Sequence, residues 1–159
     1  TIYATLLGAG ASCVSKNISK NFLRQALRQA MQSALKDANL QPADIGHISA
    51  HAQGLPAEDI EEALAIQDIF GGTHSDIPVT ALKSYIGTAG SGTGTIEMAG
   101  SILGLQQGVI PKTLNYETPD PACPVNVVHG DHLKTENKIF LKISVTRIGQ
   151  ASAIIVQVP

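Results

Sequence analysis

The chain has 159 residues, of which 43% are hydrophobic and 15% charged, and its formal net charge is −2 at neutral pH. This length and composition suit one globular domain with a core and argue against disorder. The small net charge, without a basic stripe, argues against nucleic-acid binding, and no apolar run reaches the ~18 residues of a membrane span.

The first predicted elements are a strand and a long helix. Residues 2–8 are rich in strand-forming side chains and predict a strand that Gly8, its last residue, and Gly10 close. Residues 19–39 repeat apolar side chains at steps of three and four, which predicts a helix with one apolar face. Ser19 is the expected N-cap.

The middle of the chain continues the alternation of strands and helices. Residues 45–50 form a short apolar run, which predicts a buried strand, and residues 57–70 predict a helix. Residues 77–81 predict a third strand. Residues 88–107 begin with small side chains and become apolar, which predicts a third helix that ends at Gly108.

The last part of the chain holds a long loop and a hairpin. Residues 109–137 are proline-rich and too long for a simple connection, so we expect them to be functional or packed on a neighbour. Residues 139–146 and 152–158 predict two strands of a hairpin. The order β-α-β-α-β-α-β-β predicts an α/β fold with a five-stranded mixed sheet, largely parallel, and helices on its faces.

Two cysteines, Cys13 and Cys123, are far apart and form no C-x-x-C arrangement. This argues against a disulfide framework and predicts structural thiols in a reducing, cytoplasmic compartment. The N-terminus has no signal-peptide pattern and already reads as a strand, so we expect the chain to begin inside a longer protein.

His51 is the first candidate for chemistry because it follows the strand predicted over 45–50. Ligands of parallel sheets bind beyond the carboxyl ends of the strands, and histidine transfers protons near neutral pH. Taken alone, however, the position of His51 favours a purely structural histidine.

The glycine-rich stretch 83–94 runs from a strand into a helix and could cradle a phosphate on its backbone N–H groups. It matches neither common phosphate-binding motif, and close helix packing explains its glycines as well.

Ser84 has no G-x-S-x-G elbow around it and is not predicted to be a nucleophile. His129 and His132 have no third metal ligand nearby and indicate a solvated turn, so no metal site is predicted.

Three segments together resemble the C-terminal half of the β-ketoacyl synthases of the thiolase-like superfamily. The matching residues are Ala50-His51 with Pro56, Asp59 and Glu62, then Lys83-Ser84-x-x-Gly87, and finally Asn115-Tyr116-Glu117-Thr118-Pro119-Asp120-Pro121. The resemblance covers nearly the whole chain as a single half-domain, residues 1–159, and implies a thiolase-like fold.

The resemblance also implies a reaction and its participants. In this family a cysteine of the N-terminal half carries the acyl chain, and two histidines of the C-terminal half assist decarboxylation and stabilise the oxyanion. His51 matches the first histidine, Lys83 and Glu97 match a supporting ion pair, and Ser84 belongs to the same supporting motif. The implied substrate is an acyl group on the phosphopantetheine of acyl carrier protein or coenzyme A, without a further cofactor.

Several family positions are altered in this chain. Thr88 stands where the second histidine is expected, and a hydroxyl cannot carry its charge. In the family's gating loop only Gly149 remains of its glycines, and Ile148 replaces the phenylalanine. Neither cysteine of the chain matches the nucleophile.

The resemblance leaves two main hypotheses. The first is an acyltransferase of fatty acid or polyketide synthesis, completed by an N-terminal half with the cysteine, served by acyl carrier protein, and assembled as a homo- or heterodimer. The second is a non-catalytic partner, similar to chain-length factors, which the altered positions favour. A small α/β binding domain with an accidental match is the third. Each of the first two implies an exposed helix face that meets a partner half.

Overall fold

The computed structural model describes residues 1–72 and 76–159. The helices are α1 (Phe22–Ala38), α2 (Pro56–Phe70), α3 (Lys83–Ile86) and α4 (Thr93–Gln106). The strands are β1 (Thr5–Cys13), β2 (His47–Ser49), β3 (Pro78–Thr80), β4 (Val109–Ile110), β5 (Asn126–Val127), β6 (Leu133–Lys134), β7 (Ile139–Val145) and β8 (Gln150–Gln157). No described helix is long and apolar enough to cross a membrane.

A six-stranded mixed sheet with the order β1-β8-β7-β2-β3-β5 forms the centre of the fold. Strands β7, β2, β3 and β5 pair in parallel, whereas β8 runs antiparallel to both of its neighbours. The predicted α/β fold with a mixed sheet and a closing hairpin is confirmed. The sheet has six strands instead of five because β5, with two residues, is too short to leave an alternating pattern in the loop over 109–137.

Apolar side chains cover both faces of the sheet. On one face, α1 and α2 pack against the sheet around Leu141 and Ile155. On the other, Leu105 of α4 packs against Phe140 and Val156. Neighbouring residues of a strand point to opposite faces, so β7 and β8 contribute to both layers.

The first strand and the start of the first helix differ from their predictions. Gly8 and Gly10 lie inside β1 and do not end it. A Cβ atom at Gly10 would lie 2.1 Å from the carbonyl oxygen of Ala30 in α1. The glycines therefore allow the helix to lie close to the strand. The N-cap of α1 is Asn21, and the expected cap, Ser19, instead accepts a hydrogen bond from the Asn21 N–H at 3.2 Å.

The helix predicted over 88–107 begins later than expected and is preceded by separate short turns. A turn of α-helix, α3, comes first, then a 3-10 turn over Gly90–Gly92, and α4 begins at Thr93. Gly87 and Gly90 have φ angles of 66° and 58°, which interrupt a right-handed helix. Several large apolar side chains of α3 and α4 are exposed, namely Tyr85, Ile86, Ile96 and Leu103.

Candidate active site

His51 lies just beyond the carboxyl end of β2, which runs between β7 and β3 in the sheet. Its backbone N–H donates to Glu62 Oε1 at 2.6 Å, and the next N–H, of Ala52, donates to Glu62 Oε2 at 2.8 Å. The Gln53 N–H donates to Asp59 Oδ1 at 3.1 Å. Two carboxylates of α2 thus hold the turn that follows β2, in which Ala52 has a φ of 38°.

A cluster of three buried charges lies beside this turn. Lys83 Nζ lies 2.7 Å from Glu97 Oε1, and Lys142 Nζ lies 2.6 Å from Glu97 Oε2. The Lys142 ammonium also donates to the carbonyl oxygens of Ala50 at 2.9 Å and Ser49 at 3.4 Å. A buried charge requires such partners, and here two cations share one carboxylate.

His51 and the charge cluster line a common cavity of about 420 Å³, which also includes Thr88. A neighbouring cavity of about 540 Å³ lies on the side of the long loop. Gln53, Lys83 and Thr88 line both cavities, so the two adjoin at these residues. The combined space is large enough for an extended ligand.

The surroundings of His51 keep its imidazole neutral. Its pKa is lowered to about 4, first by burial and then by the charges of Lys83 and Lys142, whereas Glu97 acts in the opposite direction. Burial likewise lowers the pKa of Lys142, although its contact with Glu97 opposes this. A neutral imidazole can donate a hydrogen bond to a developing oxyanion or accept a proton.

Thr88 and Ser84 are placed differently with respect to the cavities. Thr88 is exposed and lines both of them. The Ser84 hydroxyl donates to the Ala81 carbonyl at 2.7 Å and accepts the Leu114 N–H at 2.9 Å. Ser84 thus connects α3 to the long loop.

The two residues at the predicted gating position lie in the turn between β7 and β8. Ile148 is 67% exposed and does not line the cavity beside His51, although Thr146 and Gln150 on either side do. Gly149 has a φ of 87°, and a Cβ there would lie 1.9 Å from the carbonyl oxygen of Val14. The structure therefore brings together His51, Lys83, Thr88 and Glu97 but leaves Ile148 outside.

Sequence reasoning overlooked two buried residues of the neighbouring strands β7 and β2. Lys142 is the single charged residue of the otherwise mostly apolar strand β7, and this pattern could have indicated a buried charge. His47 of β2 is fully buried and stacks on Phe140 with ring centroids 5.2 Å apart. Burial lowers the pKa of His47 to about 3, and neither ring nitrogen has a partner in the described residues.

The remaining candidates lie elsewhere in the structure. The His129 ring lies against Tyr116 with centroids 5.4 Å apart, and His132 Nδ1 accepts the Lys112 N–H at 3.1 Å. Cys13 and Cys123 are free thiols. Within residues 1–72 and 76–159, no group of three or more acidic, histidine or cysteine side chains is arranged to hold a metal.

Comparison with protein families gives a match to the model "Beta-ketoacyl synthase, C-terminal domain" over residues 3–117. The chain is also similar to 3-oxoacyl-[acyl-carrier-protein] synthase 2 of Synechocystis sp., with 35% identity over 95 residues, 60% of this chain and 23% of the relative.

Solved structures give matches over the whole chain. The ishigamide ketosynthase/chain length factor matches with a TM-score of 0.89 and 27% identity, covering 100% of this chain and 39% of that one. A type II PKS acyl-carrier protein in complex with its ketosynthase matches with a TM-score of 0.88 and 29% identity, at the same coverage of 100% and 39%. The chain thus spans well under half of the length of the proteins that it matches.

Proposed function

The chain belongs to the β-ketoacyl synthase family through its C-terminal domain, and on this premise we propose that it is the histidine-bearing half of a condensing acyltransferase. The observation that carries the proposal is the position of His51. Its side chain lines a cavity together with the buried charges of Lys83, Glu97 and Lys142. The reaction is the transfer and condensation of acyl groups in fatty acid or polyketide synthesis.

The proposed mechanism gives His51 the central role in this half. The acyl chain is carried by a cysteine of the N-terminal half, and the neutral imidazole donates a hydrogen bond to the oxyanion that forms at the thioester. The adjoining cluster holds two lysines against one carboxylate, and its positive charge favours the developing negative charge. Thr88 offers only a neutral hydrogen bond at the position of the second histidine.

The proposed substrate is an acyl group on the phosphopantetheine arm of acyl carrier protein or coenzyme A, with no further cofactor. Support comes from the similar structure in which a ketosynthase binds an acyl-carrier protein. The proposed partners are the N-terminal half with the cysteine, an acyl carrier protein and a second synthase-like subunit in a homo- or heterodimer. The exposed apolar side chains of α4, such as Ile96 and Leu103, suit such an interface.

A second candidate function is that of a non-catalytic partner subunit, similar to a chain-length factor. The specific observation in its favour is Thr88, which lines the cavities at the second histidine's position but cannot carry a positive charge. The similar structure of a ketosynthase and chain length factor has the same fold and so fits either function.

The test is intact-mass spectrometry of the full-length protein after incubation with acyl-carrier and acyl-coenzyme A donors. We expect a stable acyl adduct on a cysteine outside this chain, followed by condensation with a malonyl thioester. His51→Ala should lower the condensation rate by about 10²–10³-fold, by analogy with the loss of one oxyanion donor.

The matched control is His129→Ala, which removes an exposed histidine that lines neither cavity and should leave the rate unchanged. Condensation that survives His51→Ala at the wild-type rate would contradict the acyltransferase proposal. The absence of an adduct from every donor would favour the partner-subunit function.

A further inference from the structure

Lys142 belongs to none of the motifs that carry the family resemblance, yet it contacts the segment that carries His51. It lies on β7, which pairs with β2, and its side chain is 4% exposed. Its ammonium donates to the carbonyl oxygens of Ala50 and Ser49, the two residues immediately before His51. The Lys142 side chain thus extends from β7 to the carboxyl end of the neighbouring strand β2.

The turn that carries His51 is held by buried ions on both sides. A cation, Lys142, binds the carbonyl oxygens before it, and an anion, Glu62, accepts the N–H groups of His51 and Ala52 at 2.6 and 2.8 Å. Hydrogen bonds to charged groups are stronger than those between neutral groups. Because the φ of Ala52 is 38°, a conformation that costs energy in a non-glycine residue, this turn needs contacts that fix it.

Lys142 also contributes to the charge beside the imidazole. The charged groups that face His51 are Lys83 of α3, Glu97 of α4 and Lys142 of β7, and Glu62 and Asp59 of α2 hold its turn. Lys83 and Glu97 form an ion pair with no net charge. Lys142 pairs with the same carboxylate at 2.6 Å, so the positive charge in excess of Glu97 belongs to the two lysines together.

We propose that Lys142 is a positioning residue of the candidate active site, which fixes the backbone of His51 through the Ser49 and Ala50 carbonyls and supplies one of the two positive charges beside its imidazole. The effect on condensation rests on the proposed function, whereas the effect on the histidine does not.

The test compares Lys142→Gln, which keeps a hydrogen-bond donor but removes the charge, with Lys142→Arg, which keeps the charge. Lys36→Gln is the matched control, because Lys36 is exposed on α1 and its loss removes the same charge. The measurement is the rate of carbethoxylation of His51 by diethyl pyrocarbonate as a function of pH, quantified by peptide mass spectrometry of the full-length protein. Only a neutral imidazole reacts, so the midpoint of the rate curve reports the protonation of His51.

In the wild-type protein and in Lys36→Gln we expect a midpoint near pH 4. In Lys142→Gln the midpoint should rise by roughly one pH unit, the order expected for the loss of one nearby charge, and in Lys142→Arg it should stay within about half a unit of the wild type. The condensation kcat of Lys142→Gln should fall about tenfold or more with little change in KM, because the substrate contacts are kept.

A midpoint that is equal in Lys142→Gln and wild type would overturn the proposal. If the wild-type protein shows no condensation, the proposed function fails, but the carbethoxylation curves still test Lys142. Thermal unfolding of each variant shows whether it folds. If Lys142→Gln does not fold, the carbethoxylation curve of Lys142→Met, which has an apolar side chain of similar length, is compared with that of the wild type instead.

Discussion

Lys83 Nζ lies 2.7 Å from Glu97 Oε1 although the two residues are 14 positions apart, and their side chains are only 6% and 0% exposed. This contact joins α3 to α4 across the interruption by Gly87 and Gly90. An ion pair of this kind is not by itself a source of stability, because burial of both charges offsets their attraction. Removal of one partner, by contrast, leaves a charge without compensation.

Glu97→Gln should therefore be strongly destabilising. The variant leaves Lys83 and Lys142 buried without their shared anion, and we expect the free energy of unfolding to fall by about 3–5 kcal/mol in urea titration. The control is Asp68→Asn, which breaks a pair of similar length, 2.6 Å to Arg24, whose side chains are partly exposed. Its cost should be about 1 kcal/mol or less, and equal costs for the two variants would contradict this reading of the cluster.

Thr88→His should raise the condensation rate of the full-length protein if the position acts as the family's second histidine. An added imidazole can donate to the oxyanion and carry charge, so we expect a gain of roughly tenfold or more in kcat. Thr95→His is the matched control, because Thr95 is also exposed and lines the cavity beside His51. A similar gain from both variants, or from neither, would show that the position of Thr88 has no special role.

His47 should make the protein less stable in acid. Its pKa is about 3 in the folded protein and near 6.5 when unfolded, so the unfolded state binds more protons between these values. The folded state is then favoured above pH 6.5, and this contribution is lost as the pH falls toward 3.

His47→Phe should remove this contribution and keep a ring against Phe140. We expect the slope of unfolding free energy against pH to decrease by up to about 1.4 kcal/mol per pH unit between pH 4 and 6, relative to wild type. Chemical denaturation at several pH values measures the slope, and parallel curves for the two proteins would rule out a role for His47.

Gly10→Ala should destabilise the contact between β1 and α1. The added Cβ would lie 2.1 Å from the Ala30 carbonyl oxygen, which cannot move without shifting the helix backbone. We expect a loss of about 1–3 kcal/mol, typical of overpacking. In Gly92→Ala no atom lies within 4 Å of the new Cβ, so this control should stay within ~0.5 kcal/mol of wild type. Thermal unfolding of both variants makes the comparison.

The sequence predicted the longer elements better than the shorter ones. The apolar period of α1 and α2 and the strand-forming runs of β7 and β8 are local patterns, so their positions followed from the chain alone. The roles of Gly8 and Gly10 did not follow from the chain alone. A glycine that ends a strand and a glycine that allows a helix to pack closely against the strand look identical in a sequence. The two-residue β5 was missed because it exists only through its pairing with β3.

The sequence alone, through motif order and residue type, determined the family resemblance and the candidacy of His51, Lys83, Glu97 and Thr88. Only the tertiary structure decided that Lys142 binds the carbonyl oxygens before His51 and shares Glu97 with Lys83, and that Ile148 lies outside the cavity. The physical reason is that Ala50 and Lys142, 92 positions apart, meet through the pairing of β2 with β7. Local patterns reveal which residue types are present, whereas charge sharing and burial depend on which distant segments the sheet brings together.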